Sequence, residues 1–480
     1  MRLGVLGLAV GLLAPSTASA FCGFFVAGND AKLYNNASQV VLLRKGNHTA
    51  MTMSNNYQGP PENFAMVVPV PVVLQKENVK TLPHDVFEHI DSLSAPRLVE
   101  YWEQDPCYVP RDVYKSAVGG VMPAPASASA PGGGGLGVKI EAQFVVGEYE
   151  IVILSAKDSG GLDTWLRLNK YKIPDGAGAA LAPYVREQMK FFVAKVNIQK
   201  VKHDAQGAVQ LSPLRFSFES NELRLPVRLG LLNAADKQDL IVYVLHPSSR
   251  FEVANYPNVF IPTNLEVADE VRKQFPAFYA QLFDATVDKM NGKAIVTEYA
   301  WQTTSCDPCP VPPLQPSDLA TLGDDASVAQ SQQQPNNGQR MPSPGGYYGD
   351  FASWTLTRLH TRYSKASLSE DLVFKEAKPV MGGRANYDGT AGDAGAQVLG
   401  TGAQNNFQGR YIIRHYWSGP AKCDHPTYGR WGGPPNGGEP APMAAKGLAM
   451  APRGKVQLPK VIRSPVPSLG LAGQPPPRHK

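Results

Sequence analysis

No stretch of eighteen consecutive apolar residues occurs in the 480-residue chain, and a helix needs about twenty to cross a bilayer. A transmembrane helix is therefore not expected. The motifs that mark common enzyme classes are missing as well: there is no GxSxG nucleophile elbow, no GxxxxGK[ST] phosphate loop, no GxGxxG after a strand and no HExxH zinc pair. No basic patch interleaved with aromatic residues stands out, which removes the usual footprint of nucleic-acid binding. Cysteine is scarce. The five residues Cys22, Cys107, Cys306, Cys309 and Cys423 allow at most two disulfides and leave one thiol over.

What is present begins with a processing segment. Arg2 supplies a minimal positive region, Leu3 to Ala14 are apolar, and Ala18-Ser19-Ala20 gives the small-x-small pattern that signal peptidase reads. The apolar run is too short for an anchor, so a cleaved signal peptide is expected, with a mature chain starting near Phe21. Bulky Phe21 before Cys22 argues against lipidation of that cysteine. The expected location is outside the inner membrane, in the periplasm, on the outer surface or beyond, where disulfides persist. The net charge of +5 is mostly local, because residues 440–480 carry seven basic residues and no acid. The rest of the mature chain is slightly acidic.

Taken in order, the chain reads as mixed strands and helices. Residues 40–44 and 48–53 are β-branched or alternating runs joined by a Lys45-Gly46-Asn47 turn, and 64–70 reads as a third strand that Pro69 and Pro71 place at a sheet edge. A helix is expected within 83–102. Its His84 and His89 are five apart, which is not the i, i+4 spacing that puts two ligands on one face, so they read as solvated or core histidines. Residues 122–137 are a Pro/Ala/Ser/Gly insert. Two strands bent at Gly147 follow over 138–154, then helices from a Ser159 cap and over 182–190. The alternation Leu214, Phe216, Phe218 and then Leu223, Leu225, Val227, Leu229 predicts two half-buried strands, the second an edge strand because of Pro226. The apolar run 241–245 predicts a strand buried on both faces. Val271, Phe275, Phe278, Leu282 and Phe283 predict an amphipathic helix started or kinked by Pro276. Residues 294–301 form a strand that delivers the chain to Cys306-Asp307-Pro308-Cys309-Pro310. After a polar linker, strands over 354–363, 371–374 and 407–417 return to the main sheet.

Several separated motifs together resemble a known family. They are Phe21-Cys22-Gly23-Phe24-Phe25-Val26-Ala27, Asn36 to Val41, Phe64 to Pro71, Gly161-Leu162-Asp163-Thr164-Trp165-Leu166, Tyr171-Lys172-Ile173-Pro174, Cys306 to Pro310 and Thr357 to Tyr363. The whole is similar to the bacterial secreted family known as domain of unknown function 2330, over roughly residues 21–425. The resemblance implies secretion and one extended domain. It implies no catalytic residue, cofactor, ligand or partner.

The cysteines carry the most specific chemistry. A Cys22–Cys107 bridge would close a long loop, worth about 4 to 5 kcal/mol in the chain-entropy model, against about 2 for Cys306–Cys309, so long-range pairing is the more useful staple. Cys306-Asp307-Pro308-Cys309 also suits a thiol–disulfide enzyme, with Cys306 as nucleophile and Cys309 as resolving thiol. Pro310, Pro312 and Pro313, however, forbid the helix that would stabilise such a thiolate. A third alternative is structural zinc held by Cys306, Cys309, Cys423 and His425. One CxxC plus a distant CxH is a weak form of that pattern, and exported cysteines are more often oxidised.

The expected fold is α+β, mainly antiparallel sheet with about three helices, stapled by disulfides and interrupted by low-complexity inserts. Residues 1–20 are a signal peptide, 21–121 the N-terminal part of one domain, 122–137 a flexible insert and 138–322 the central α+β part. Residues 323–346 are a polar linker, 347–425 C-terminal strands completing the domain, and 426–480 a disordered basic tail. The expected function is that of a non-catalytic cell-envelope or secreted scaffold or binding protein. Its partner is an unknown envelope or extracellular component, and it needs no cofactor.

Overall fold

The computed structural model describes residues 24–26, 37–54, 65–107, 138–169, 171, 173, 176–203, 209–232, 237–325, 353–383, 404–435, 437, 442–445, 451 and 453–474. The expected signal peptide, the 122–137 insert, Cys22 and most of the polar linker lie outside the described residues.

The centre of the molecule is a ten-stranded sheet. Its innermost strand, Gln238–His246, pairs parallel with Ala37–Lys45 and antiparallel with Thr355–Tyr363. Alternation along these strands fills both faces. Val40, Leu42, Leu240, Val242 and Val244 enter one core, while Val41, Leu43, Ile241, Tyr243 and Leu245 enter another. The apolar run 241–245 is thus buried on both sides, as its lack of alternation predicts. Ala37–Lys45 and His48–Ser54 form the expected hairpin, with Lys45 opposite His48 and Gly46 at φ +60°. A positive φ favours glycine at that turn position. Ile295–Gln302 lies on the other side of Thr355–Tyr363 and ends at the cysteine pair.

The first core is closed by a second, all-antiparallel sheet of Phe24–Val26, Ala65–Val70, Lys190–Val196, Tyr149–Ala156 and Val138–Val146, in that spatial order. Ala65–Val70 is an inner strand of this sheet. Its three-residue neighbour pairs only with residues 65–67, so Pro69 stands beyond the end of that neighbour, where its missing N–H disrupts no ladder. Helices α1 (Asp85–Ser94), α2 (Ser159–Leu168), α3 (Ala177–Arg186), α4 (Phe275–Asp288), α5 (Pro316–Leu322) and α6 (Leu458–Val461) make six among the described residues, twice the expected number. The fold is α+β with mostly antiparallel sheets.

Besides the number of helices and the inner position of Ala65–Val70, where the prolines predict a sheet edge, four further expectations are corrected. The helix within 83–102 is only α1; after Pro96 the chain becomes the strand Arg97–Glu103, which Arg410–His415 holds extended by pairing parallel with residues 97–102. Helix α2 is capped by the Asp158 carboxylate, which accepts the Gly161 N–H at 2.6 Å, in place of Ser159. Helix α3 starts five residues early, at Ala177 after left-handed Gly176, since the alanines propagate a helix well. The fourth concerns the tail. Residues 443–445 supply a short strand on Arg97–Glu103, and residues 453–474 supply helix α6 and the buried side chains Val456, Leu458, Val461, Ile462 and Val466, which pack in the core around α4. Composition averaged over 426–480 hid this local apolar spacing.

Candidate functional site

The cysteine corner sits on the outer face of the central sheet. Residues 305–313 fold back over α1 after the 295–302 strand. Trp301 Nε1 donates to Ser305 Oγ at 3.2 Å. Buried Arg97 donates from a terminal nitrogen to the Pro308 carbonyl at 2.7 Å, and buried Gln408 donates from Nε2 to the Asp307 carbonyl. His89 Nε2 lies 2.8 Å from the Pro312 carbonyl, with its Nδ1 3.2 Å from Asp318 on α5. Both ring nitrogens thus face acceptors. The hydrogen bond with Asp318 raises the His89 pKa, against burial that lowers it, so the imidazolium clips the far end of the loop. Three carbonyls of one short segment are held by side chains from three other elements.

The structure pairs Cys306 with Cys309 and Cys107 with Cys423. The long-range staple is therefore Cys107–Cys423, 316 residues apart, and Cys107 is not joined to Cys22. Cys423 is committed to that bridge and His425 is exposed, so the Cys306, Cys309, Cys423, His425 zinc set is not assembled. Among the described residues, no three His, Cys, Asp or Glu side chains gather as a metal site. Of the local pair, Cys309 is exposed, whereas Cys306 is half-buried against the core that holds Trp301, Leu314 and Trp354. Arg97 beneath the loop is fully buried. Burial, assisted by Arg358 and Arg410, lowers its pKa to about 10, and its Nε has no hydrogen-bond partner. The nearby Tyr299 hydroxyl and Gln408 Oε1 are likewise buried without partners.

The densest group of ionisable side chains lies deeper, between the central sheet, α1 and α4. Arg358 joins Asp91 on α1 at 2.5 Å to Glu298 at 2.6 Å. His360 joins Glu298 at 2.6 Å to Asp239 at 3.0 Å. Arg453 from the C-terminal segment reaches Asp239 at 3.0 Å and also pairs with Asp284 on α4, which Arg362 meets at 3.1 Å. Four acids face four bases. Burial alone would push the Glu298 carboxyl up, but the charges of His360 and Arg358 outweigh it and hold its pKa at about 2. Burial would lower the His360 pKa, and Glu298 and Asp239 raise it instead. The ions are thus in place and mutually satisfied. With Glu298, Arg358 and His360 all at most 1 % exposed, the chain of charges is a brace that ties strands, helices and C-terminal segment together. A groove of about 400 Å³ lies elsewhere, between α4 and residues 456–471, with Lys289 as its one ionisable lining residue.

A third feature is a half-exposed aromatic face on the parallel pair Arg97–Glu103 and Arg410–His415 and the loop that follows. Tyr416 meets Trp431 edge-on at 5.2 Å, and on the opposite face of the strand pair Trp102 stacks on His415 with ring centres 4.4 Å apart. The Arg414 and Arg410 guanidinium groups lie over Trp431 and Tyr101. Glu100 accepts from His415 at 2.8 Å and from Arg272. The loop is fixed from below, because Glu103 accepts the Trp417 N–H at 2.9 Å and the Gly429 N–H at 2.6 Å, while Cys107–Cys423 ties it down covalently. Sequence reasoning singled out neither the brace nor this face. The signals were there: Arg358, His360 and Arg362 recur at period two in the strand Thr355–Tyr363, and Arg414-His415-Tyr416-Trp417 follows another apolar run.

A family model described as an uncharacterized protein conserved in bacteria, DUF2330, matches residues 16–375. No curated protein and no solved structure matches the chain.

Proposed function

The chain belongs to the DUF2330 family of uncharacterized bacterial proteins, and from that premise we propose that it is exported and serves in the cell envelope or outside the cell as a mainly non-catalytic binding or scaffold protein. The aromatic face is the observation that carries this reading. Tyr, Trp and Arg side chains dominate the energetics of binding surfaces, since they offer large contact area at low conformational cost. Here Tyr101, Tyr416 and Trp431 are half-exposed and held by a bridge, two backbone hydrogen bonds and stacked cations. Such preorganisation lowers the cost of association. The brace supports the same reading, because its acids and bases face one another and its inner members Asp239, Glu298, Arg358 and His360 are buried.

Two measurements test this. Mass spectrometry of the protein expressed in a bacterium should find the mature N-terminus near Phe21 in the exported fraction; an intact N-terminus in the cytosol would refute export. Co-sedimentation of the mature chain with purified cell-wall and outer-membrane fractions should show binding that falls at least tenfold in Tyr416→Ala or Trp431→Ala. Binding unchanged in both variants, or absent in the parent, would remove the aromatic face as the binding surface.

A further inference from the structure

We propose that the Cys306–Cys309 bridge is a working dithiol–disulfide couple, and that an incoming thiolate attacks Cys309. Three observations carry it. First, the bridge adds little as a staple. It spans three residues, and the entropy a cross-link removes grows with the loop it closes; the structural duty belongs to Cys107–Cys423. Second, the loop keeps its shape without the bridge. The Asp307, Pro308 and Pro312 carbonyls are held by Gln408, Arg97 and His89, and Ser305 by Trp301. Breaking the S–S bond therefore leaves the two sulfurs where they can close again. Third, the two sulfurs differ. Cys309 is exposed and Cys306 packs against the core, so access selects the sulfur to be attacked. This reverses the roles expected from the sequence.

The co-reactant is a dithiol, as in a partner protein or peptide with two nearby cysteines. Its first thiolate attacks Cys309 Sγ, forming a new S–S bond. The Cys306–Cys309 bond breaks, and its electron pair leaves on Cys306 Sγ. The partner's second thiolate then attacks the partner sulfur of this mixed disulfide and releases Cys309 as a thiolate. The partner is oxidised by two electrons and the bridge is reduced by two. The two protons lost by the partner's thiols are taken up by Cys306 and Cys309. Arg97 serves as a positioning residue in this scheme. It is a buried cation hydrogen-bonded to the residue just before Cys309, with one N–H uncommitted, and a fixed positive charge beneath the loop favours the thiolate form.

The test uses the full mature chain in its oxidised form. The protein is equilibrated in buffers of graded reduced-to-oxidised dithiothreitol ratio, thiols are alkylated, and the two cysteine pairs are followed by peptide mass mapping. The 306–309 pair should open reversibly at a ratio at least tenfold lower than the 107–423 pair, with tryptophan fluorescence unchanged. Opening of both pairs together, or of 107–423 first, would overturn the proposal. Polarity is read from single variants. Cys306→Ser, which leaves Cys309 free, should react with an aryl disulfide at least tenfold faster than Cys309→Ser, which leaves Cys306 free. Equal rates or the opposite order would overturn the assignment of Cys309. The dithiothreitol titration of the unmodified chain needs no variant and decides the redox claim by itself.

Discussion

At the scale of single residues, the most consequential side chain is Arg358. Its guanidinium is the link between Asp91 and Glu298, and all three sit beside the Tyr243 and Tyr279 hydroxyls. Removing one partner of a buried pair leaves an uncompensated charge and costs about 3–5 kcal/mol. Arg358→Met should therefore lower stability by that amount, read as a shift of the denaturant midpoint at constant slope. The acid limb carries a second prediction. Glu298 is depressed from an ordinary value of 4.5 to about 2. The stability it contributes is present above pH 4.5 and is lost as pH falls through about 2, some 3 kcal/mol in all. Glu298→Gln should flatten the stability profile over that window. A profile with the same acid slope as the parent would show that Glu298 is not ionised in the fold. His360 acts in the opposite sense. Its pKa is raised above 6.5, so its contribution is complete below that pH and is lost as pH rises through the elevated value. These residues were only half legible in the sequence. Arg358 and His360 stood in a motif, but the acids that answer them arrive from strands and helices scattered over the chain, and spacing along one strand does not reveal them.

At the scale of elements, local pattern was a good guide wherever one face or one period dominated. The 37–54 hairpin, the bend at Gly147 and the strands ending at Glu219, His246 and Gln302 follow from alternation and turn chemistry. Helix α4 begins with Pro276 in its first turn, where a missing N–H does no harm. Pattern failed where tertiary pairing overrode it. Arg97–Glu103 is a strand because Arg410–His415 lies alongside it, and α6 is ordered because its apolar side chains fill the core around α4. The second case is testable. Ile462 is 1 % exposed in that core, and an Ile→Ala change at such a site costs about 2–5 kcal/mol. Ile462→Ala should lower the thermal midpoint measurably; a disordered tail would leave it unchanged.

At the scale of the whole molecule, the 107–423 bridge joins the end of the Arg97–Glu103 strand to the loop after Arg410–His415. Replacing both cysteines by serine should cost about 2–5 kcal/mol, and the same double change at 306 and 309 about 2 or less. Chemical denaturation of the two double variants compares them directly, and equal losses would contradict the division of labour between the bridges. The class of the fold was readable from composition and alternation. The sheet order was not, because it depends on pairings between segments as distant as Ala37–Lys45 and Gln238–His246.

That central pairing also fixes a schedule. The 37–54 hairpin leaves the ribosome early, yet its parallel neighbour follows about two hundred residues later and Arg453, which completes the brace, later still. Non-local contacts are slow to form, and a chain that waits for them exposes its apolar strands meanwhile. The central sheet and its brace can therefore be completed only after Gln238–His246, and then Arg453, have been made.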